Sequence, residues 1–182
     1  MIGNDLIDLQ LAKSQSSWQR KGFLEKQFTD TEIAEILSSE NPFLQVWLFW
    51  SMKEAAYKCY TQEFQKRFFA PKKFVCTMIS KNTGIVSVEN QQYFSNSENS
   101  TFFIHTIAKK EDSKIYASEL FLMDENANQT QFVQQQILST FLQKVTIQKN
   151  EFGIPFLYQN EKKLALSISI SHHGKFGAFV VL

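Results

Sequence analysis

The sequence predicts an α+β fold, and three observations carry that prediction. A long helix-periodic block opens at Asn41-Pro42, a run of short strand-like segments fills 73–121, and the last third returns to one helix followed by strands. The first element is Ile2-Gly3-Asn4-Asp5-Leu6-Ile7-Asp8-Leu9, an apolar strand interrupted by acids where a buried strand would not want them. A polar helical stretch from about Lys13 leads to Phe28-Thr29-Asp30-Thr31-Glu32. Thr29 and Glu32 form a capping box for a short helix to about Ser38, with Phe28 and Ile33 as its hydrophobic staple. Pro42 suits the first turn of the long helix. Leu44, Trp47, Leu48, Ser51 and Ala55 give that helix a buried stripe, and its end is expected near Arg67, before Pro71.

Strands are expected over 74–79, 85–88, 102–108 and 115–122, with Asn82-Thr83-Gly84 as a hairpin turn. The Gln-, Ser- and Asn-rich stretch from Asn90 to Ser100 reads as a loop, and Asp124 to Gln129 as a linker. An amphipathic helix follows from about Thr130 to Gln143, with Phe132, Val133, Ile137, Phe141 and Leu142 on its apolar side. Strand-like segments at 145–147, 166–170 and 176–182 close the chain.

The 182 residues are 43% hydrophobic and include 18 Phe, enough for one sizeable core or two small packed modules. A formal charge of +1 argues against a general nucleic-acid binder, since such proteins carry a marked basic excess. Cys59 and Cys76, with no metal-ligand spacing, indicate neither a disulfide framework nor a zinc site. There is no basic-then-apolar leader, and no apolar run approaches the roughly 20 residues that span a bilayer. These features predict a soluble cytoplasmic protein.

The chemistry-bearing segment is Trp50-Ser51-Met52-Lys53-Glu54-Ala55-Ala56-Tyr57-Lys58. Glu54 and Lys58, one helical turn apart, can address one ligand together, as a site holding a metal and a phosphate requires. The same spacing also suits a solvated salt bridge. Two further segments accompany it: Gly3-Asn4-Asp5 at the start, and Ile170-Ser171-His172 before the apolar end.

Together these segments resemble the 4′-phosphopantetheinyl transferase superfamily, whose patterns are Gly-x-Asp, Trp-(Ser/Ala)-x-Lys-Glu-(Ala/Ser)-x-x-Lys and an Ile-Ser-His segment. The two-module members, of the surfactin-synthetase-activating type, have these pieces in another order. Here Phe152-Gly153-Ile154-Pro155 and Ile170-Ser171-His172 look like the first module, yet follow what looks like the second. The resemblance therefore implies that fold in circularly permuted order. Module 1–124 carries Gly-x-Asp and Trp-Ser-x-Lys-Glu, module 125–182 carries Gly-x-Pro and Ile-Ser-His, and a pseudo-twofold axis relates them in one compact unit. The small trimeric holo-acyl-carrier-protein synthases are the second template, but they lack room for the central strands and extra helix. One chain holding both modules leads to the expectation of a monomer.

The resemblance also implies transfer of 4′-phosphopantetheine from coenzyme A to a serine of an acyl- or peptidyl-carrier protein, with Mg²⁺. Asp5 and Glu54 are the implied metal ligands, since magnesium takes one or two carboxylates plus phosphate oxygens and water. Glu54, directly or through a water, is the implied base, and Lys58 neutralises the pyrophosphate. Lys53, Lys58, Ser171, His172, Gly153 and Pro155 are the implied coenzyme A contacts. Of two basic clusters, Arg20-Lys21-Lys26 and Lys66-Arg67-Lys72-Lys73, the first lies where the family meets its acidic carrier. The chain departs from the family's pattern at Ile154, where a lysine is usual, and at Ile7, where an acid is usual. No basic residues near Gln129 to Gln136 match those the family places around the 3′-phosphate of coenzyme A. An alternative is a catalytically silent relative that retains only the carrier-binding surface.

Overall fold

The computed structural model describes residues 1–68, 70–110, 114–123, 128–141 and 144–182. Strand β1, Ile2–Asp8, is followed by three short helices, α1 (Leu9–Gln15), α2 (Phe23–Gln27) and α3 (Asp30–Ser38). The long helix α4 spans Pro42–Phe64. After a 3-10 turn at Pro71–Lys73 come four strands, β2 (Val75–Met78), β3 (Thr83–Val88), β4 (Gln91–Asn99) and β5 (Phe103–Lys109). The rest is β6 (Ala117–Leu122), α5 (Gln129–Ser139), β7 (Thr146–Lys149), β8 (Pro155–Gln159), β9 (Lys162–Lys163), β10 (Ile168–His173) and β11 (Phe176–Val181).

Among the described residues three antiparallel sheets form, with strand orders β1-β5-β4-β3-β2, β10-β11-β6 and β7-β8-β9. The first lays one face on α4, where Phe49, Met52, Tyr60, Phe74, Val86, Val88, Tyr93 and Ile104 form the main core. Full burial of a large apolar side chain contributes about 1.5–3 kcal/mol, so this contact dominates the fold's stability. Helix α5 closes a second core with Phe179, Val181, Ile168 and Leu157.

Strand β1 is the hinge between the two cores. Its residues Gly3, Asp5 and Ile7 face α4, while Asn4 and Leu6 face the second sheet, where Leu6 packs with Phe176 and Ala178. All seven of its residues are therefore buried, acids included.

Several sequence expectations are corrected. Asn90 to Ser100 is not a loop but mostly β4, whose inward positions are Tyr93, Ser95 and Ser97. The serines conceal the two-residue period because their hydroxyls are satisfied internally, Ser95 by Gly84 O at 3.0 Å and Ser97 with Thr106 at 2.8 Å. Thr83 and Gly84 belong to β3, so the hairpin turn lies at 79–82. Helix α4 stops at Phe64 because Gln65 adopts a left-handed cap with φ 50°. The first strand ends at Asp8, whose carboxylate caps α1, so helix begins at Leu9 rather than near Lys13. The β8–β9 hairpin was not expected at all. Of the proposed linker, 124–127 lie outside the described residues, and Gln129 already belongs to α5. Helix α5 ends at Ser139, capped by Thr140, short of the expected end at Gln143, and 142–143 lie outside the described residues.

Candidate active site

The site begins with a glycine. A Cβ at Gly3 would stand 2.0 Å from the carbonyl oxygen of Ala55, so only glycine lets β1 lie directly on the backbone of α4. Asp5, two residues on and on the same strand face, is thereby pressed against the helix. Its Oδ1 lies 3.5 Å from Lys58 Nζ, and its Oδ2 is buried without a hydrogen-bond partner. Lys58 Nζ also donates to the carbonyl of Asn4 at 2.6 Å. Burial holds the Asp5 carboxyl above its ordinary range, with the Lys58 charge opposing. Glu54, one turn before Lys58, is raised from 4.5 to about 7, first by burial, then by the Asp5 charge, against the pull of Lys58. The two acids thus outweigh the single lysine between them. A hard dication would supply the missing charge and a partner for Asp5 Oδ2, so this donor set fits Mg²⁺. Among the described residues no group of three or more His, Cys, Asp or Glu is arranged to hold a metal, so the side-chain ligands would be the two carboxylates of Asp5 and Glu54.

Beside the acids lies a cleft of about 330 Å³ whose wall includes Lys58, Arg67, Lys149, Gly153 and Pro155. The left-handed cap at Gln65 turns the chain off α4, and Arg67 Nε then donates to Phe152 O at 3.0 Å. Gly153 has φ 77°, a left-handed conformation that favours glycine, and a Cβ there would press on the Arg67 guanidinium, 2.7 Å from Nη2. Asn150 Oδ1 holds this turn by accepting from the amides of Phe152 (3.1 Å) and Ile154 (2.9 Å). Ile154 is itself buried in the wall, which is why a lysine is not what this backbone position calls for. Three cations, Lys58, Arg67 and Lys149, therefore line one cleft.

Strand alternation sorts the Ser-His segment. Ser169, Ser171 and His173 point at β1, while His172 is exposed on the opposite face. The imidazole of His172 is held below its ordinary pKa by partial burial, then by the charges of Lys58, Lys149 and His173. It stands in the field of the same cations that line the cleft. Residues 1–117, more than half of the chain and carrying Asp5, Glu54 and Lys58, match the 4′-phosphopantetheinyl transferase superfamily. The chain belongs to that superfamily. Its members are transferases that use coenzyme A and act on carrier proteins, so this chain is a transferase of phosphopantetheine chemistry. None of the curated proteins matches the sequence. No helix among the described residues is long and apolar enough to cross a membrane.

Two expected coenzyme A contacts of the transferase are corrected. Lys53 is fully buried, 2.8 Å from Glu32, and donates to the carbonyls of Pro71 and Phe74. One residue along a helix is a rotation of about 100°, which turns Lys53 away from the face that carries Glu54. Ser171 is buried too, its hydroxyl accepting from Asn4 Nδ2 at 2.9 Å rather than facing the cleft. Asp8 is structural: Oδ1 caps Gln10 N and Leu11 N at 3.0 Å, and Oδ2 accepts from Lys175 N at 3.3 Å. His173 Nδ1 in turn accepts from Asp8 N at 2.8 Å. Sequence reasoning placed Arg67 only in a surface cluster and passed over Lys149. Their shared cleft depends on two chain turns 85 residues apart, from Arg67 to Phe152, which no local pattern encodes.

Proposed function

We propose that this transferase moves the 4′-phosphopantetheine group of coenzyme A onto a serine of an acyl- or peptidyl-carrier protein in a Mg²⁺-dependent reaction. The observation that carries this reading is the pairing of two acids short of positive charge, Asp5 and Glu54, with a neighbouring cleft lined by Lys58, Arg67 and Lys149. That is the charge pattern a magnesium-bound pyrophosphate with a further phosphate requires. A bound Mg²⁺ supplies charge neutralisation at the pyrophosphate.

The remaining work falls to the chain's own residues. Lys58, tethered by Asn4 O, offers the pyrophosphate a fixed ammonium. Arg67 and Lys149 on the cleft wall hold the other phosphate oxygens of coenzyme A, His172 adds a contact from the exposed face of β10 outside that wall, and the Gly153–Pro155 turn shapes the nucleotide's wall. The carrier serine attacks the β-phosphorus. Its Oγ–P bond forms as the bond to the departing 3′,5′-adenosine bisphosphate breaks, and its proton passes to Glu54. Alignment and charge account for most of such catalysis.

Residues 1–124 and 125–182 act in this proposal as permuted modules of one unit, with Asp5, Glu54 and His172 contributed by the same chain. The protein works as a cytoplasmic monomer without nucleic acid or membrane. A silent relative has no need of three cations beside paired acids, which favours the enzyme. Release of 3′,5′-adenosine bisphosphate from coenzyme A, followed by chromatography with a panel of apo carrier proteins, tests the proposal. Release that requires both carrier and Mg²⁺ supports it, and none across the panel overturns it.

A further inference from the structure

Asn4 lies between the glycine and the aspartate of Gly3-Asn4-Asp5, and the reaction above makes no direct use of it. It is nevertheless fully buried, and its polar groups reach three separate parts of the site. Its backbone N–H donates to Ser169 Oγ at 2.9 Å, and its carbonyl accepts from Lys58 Nζ at 2.6 Å. Its Nδ2 donates to Ser171 Oγ at 2.9 Å and lies 3.3 Å from His105 Nε2. Burial, then the Lys58 charge, lowers the His105 imidazole to about 4, so it is neutral and its Nε2 can accept. Both hydrogens of Nδ2 are thereby engaged.

Strand β1 pairs with β5, and β10 pairs with β11, so no ladder joins β1 to β10. Single hydrogen bonds register the two layers instead: Asn4 N to Ser169 Oγ, Asn4 Nδ2 to Ser171 Oγ and, at the far end of β1, Asp8 N to His173 Nδ1. With those serines held against β1, strand alternation turns Ile170 and His172 to the opposite face, and Ile170 lines the cleft. Asn4 Oδ1, by contrast, is buried without a partner. A position serving only the fold would be better filled by an aliphatic residue, which buries no orphaned acceptor. An aspartate here would have no hydrogen to donate and would add a charge beside Asp5.

We infer that Asn4 is a positioning residue: its side chain clamps β10 to the point of β1 whose backbone carbonyl holds Lys58, and so sets His172 and Lys58 at one separation for a single coenzyme A molecule. The role of that separation rests on the function proposed above, but the clamp itself is a property of the unliganded chain.

The test uses Asn4→Ala and Ser171→Ala in the full chain, with Ser171→Thr as the conservative variant that keeps the hydroxyl. The His172 titration is followed by NMR without metal or coenzyme A, and KM and kcat are then measured for coenzyme A. Loosening the clamp lets His172 move toward solvent and away from Lys58 and Lys149, so its pKa rises toward the ordinary histidine value in both alanine variants and stays low in Ser171→Thr. KM rises about five- to tenfold while kcat changes less than threefold, as expected for one lost positioning hydrogen bond. An unchanged His172 titration in both folded alanine variants overturns the clamp, and so does a moved titration with unchanged KM in an active enzyme. Should Asn4→Ala fail to fold, Ser171→Ala decides alone. A wild-type chain that transfers nothing refutes the proposed function, while the titration still decides the clamp.

Discussion

Replacing Glu54 by glutamine should make the metal-free protein more stable above neutral pH and catalytically inert. The carboxyl of Glu54 is raised from 4.5 to about 7 by burial and by Asp5. Its stabilising contribution is therefore complete below about pH 4.5 and is lost as pH rises through 7, where the folded chain must carry an uncompensated charge. At about 1.4 kcal/mol per pKa unit the full effect is about 3 kcal/mol, and relaxation of a partly accessible side chain brings the expected gain to about 1.5–3 kcal/mol. For a chain of this size that is a rise of roughly 4–10 °C in Tm. The assay is thermal unfolding of wild type and Glu54→Gln in EDTA at pH 5 and pH 8.5. The two should nearly coincide at the lower pH and separate at the higher, with the variant the more stable. Mg²⁺ should raise the Tm of the wild type and not that of the variant. A variant that is less stable at pH 8.5, or that responds equally to Mg²⁺, refutes the reading of Asp5 and Glu54 as a charge-deficient metal pair.

Lys58→Ala should depress turnover sharply and Lys58→Arg restore only part of it, because the planar guanidinium reaches the pyrophosphate differently; full activity in Lys58→Ala would reduce the residue to a salt bridge. Lys53→Ala leaves Glu32 buried and unpaired and should cost about 3–5 kcal/mol in urea unfolding. Whatever stays folded should keep its KM for coenzyme A, and a raised KM would return Lys53 to the cleft. Gly3→Ala forces β1 away from Ala55 O and should lower both Tm and Mg²⁺ response, so a variant with wild-type activity would contradict the packing. Mixing inactive Glu54→Ala with inactive His172→Ala should give no activity if each site lies within one chain, whereas recovery on mixing would show sites shared between chains.

That Asp5, Glu54 and Lys58 stand together was legible in the sequence, because each sits in a short motif whose spacing matches a strand or a helical turn. Lys53 misled for the same reason: adjacency in the motif hides a rotation around the helix, and only the position of Glu32 reveals which way it points. Ser171 failed through strand parity, since the face of β10 that meets β1 could be read only once Asn4 was seen opposite it. Strand β4 was invisible because two of its inward positions are serines, satisfied by Gly84 O and Thr106 on the neighbouring strands, rather than an apolar period. Arg67 and Lys149 converge through tertiary turns that no local pattern records.

The most direct measurement of the central claim is the mass of an apo carrier protein after incubation with coenzyme A and this chain, compared with Asp5→Ala and Glu54→Ala. A gain of one phosphopantetheine group on a carrier serine is expected with the wild type and Mg²⁺, and no gain with either variant or in EDTA. Equal modification by wild type and by Asp5→Ala would contradict it.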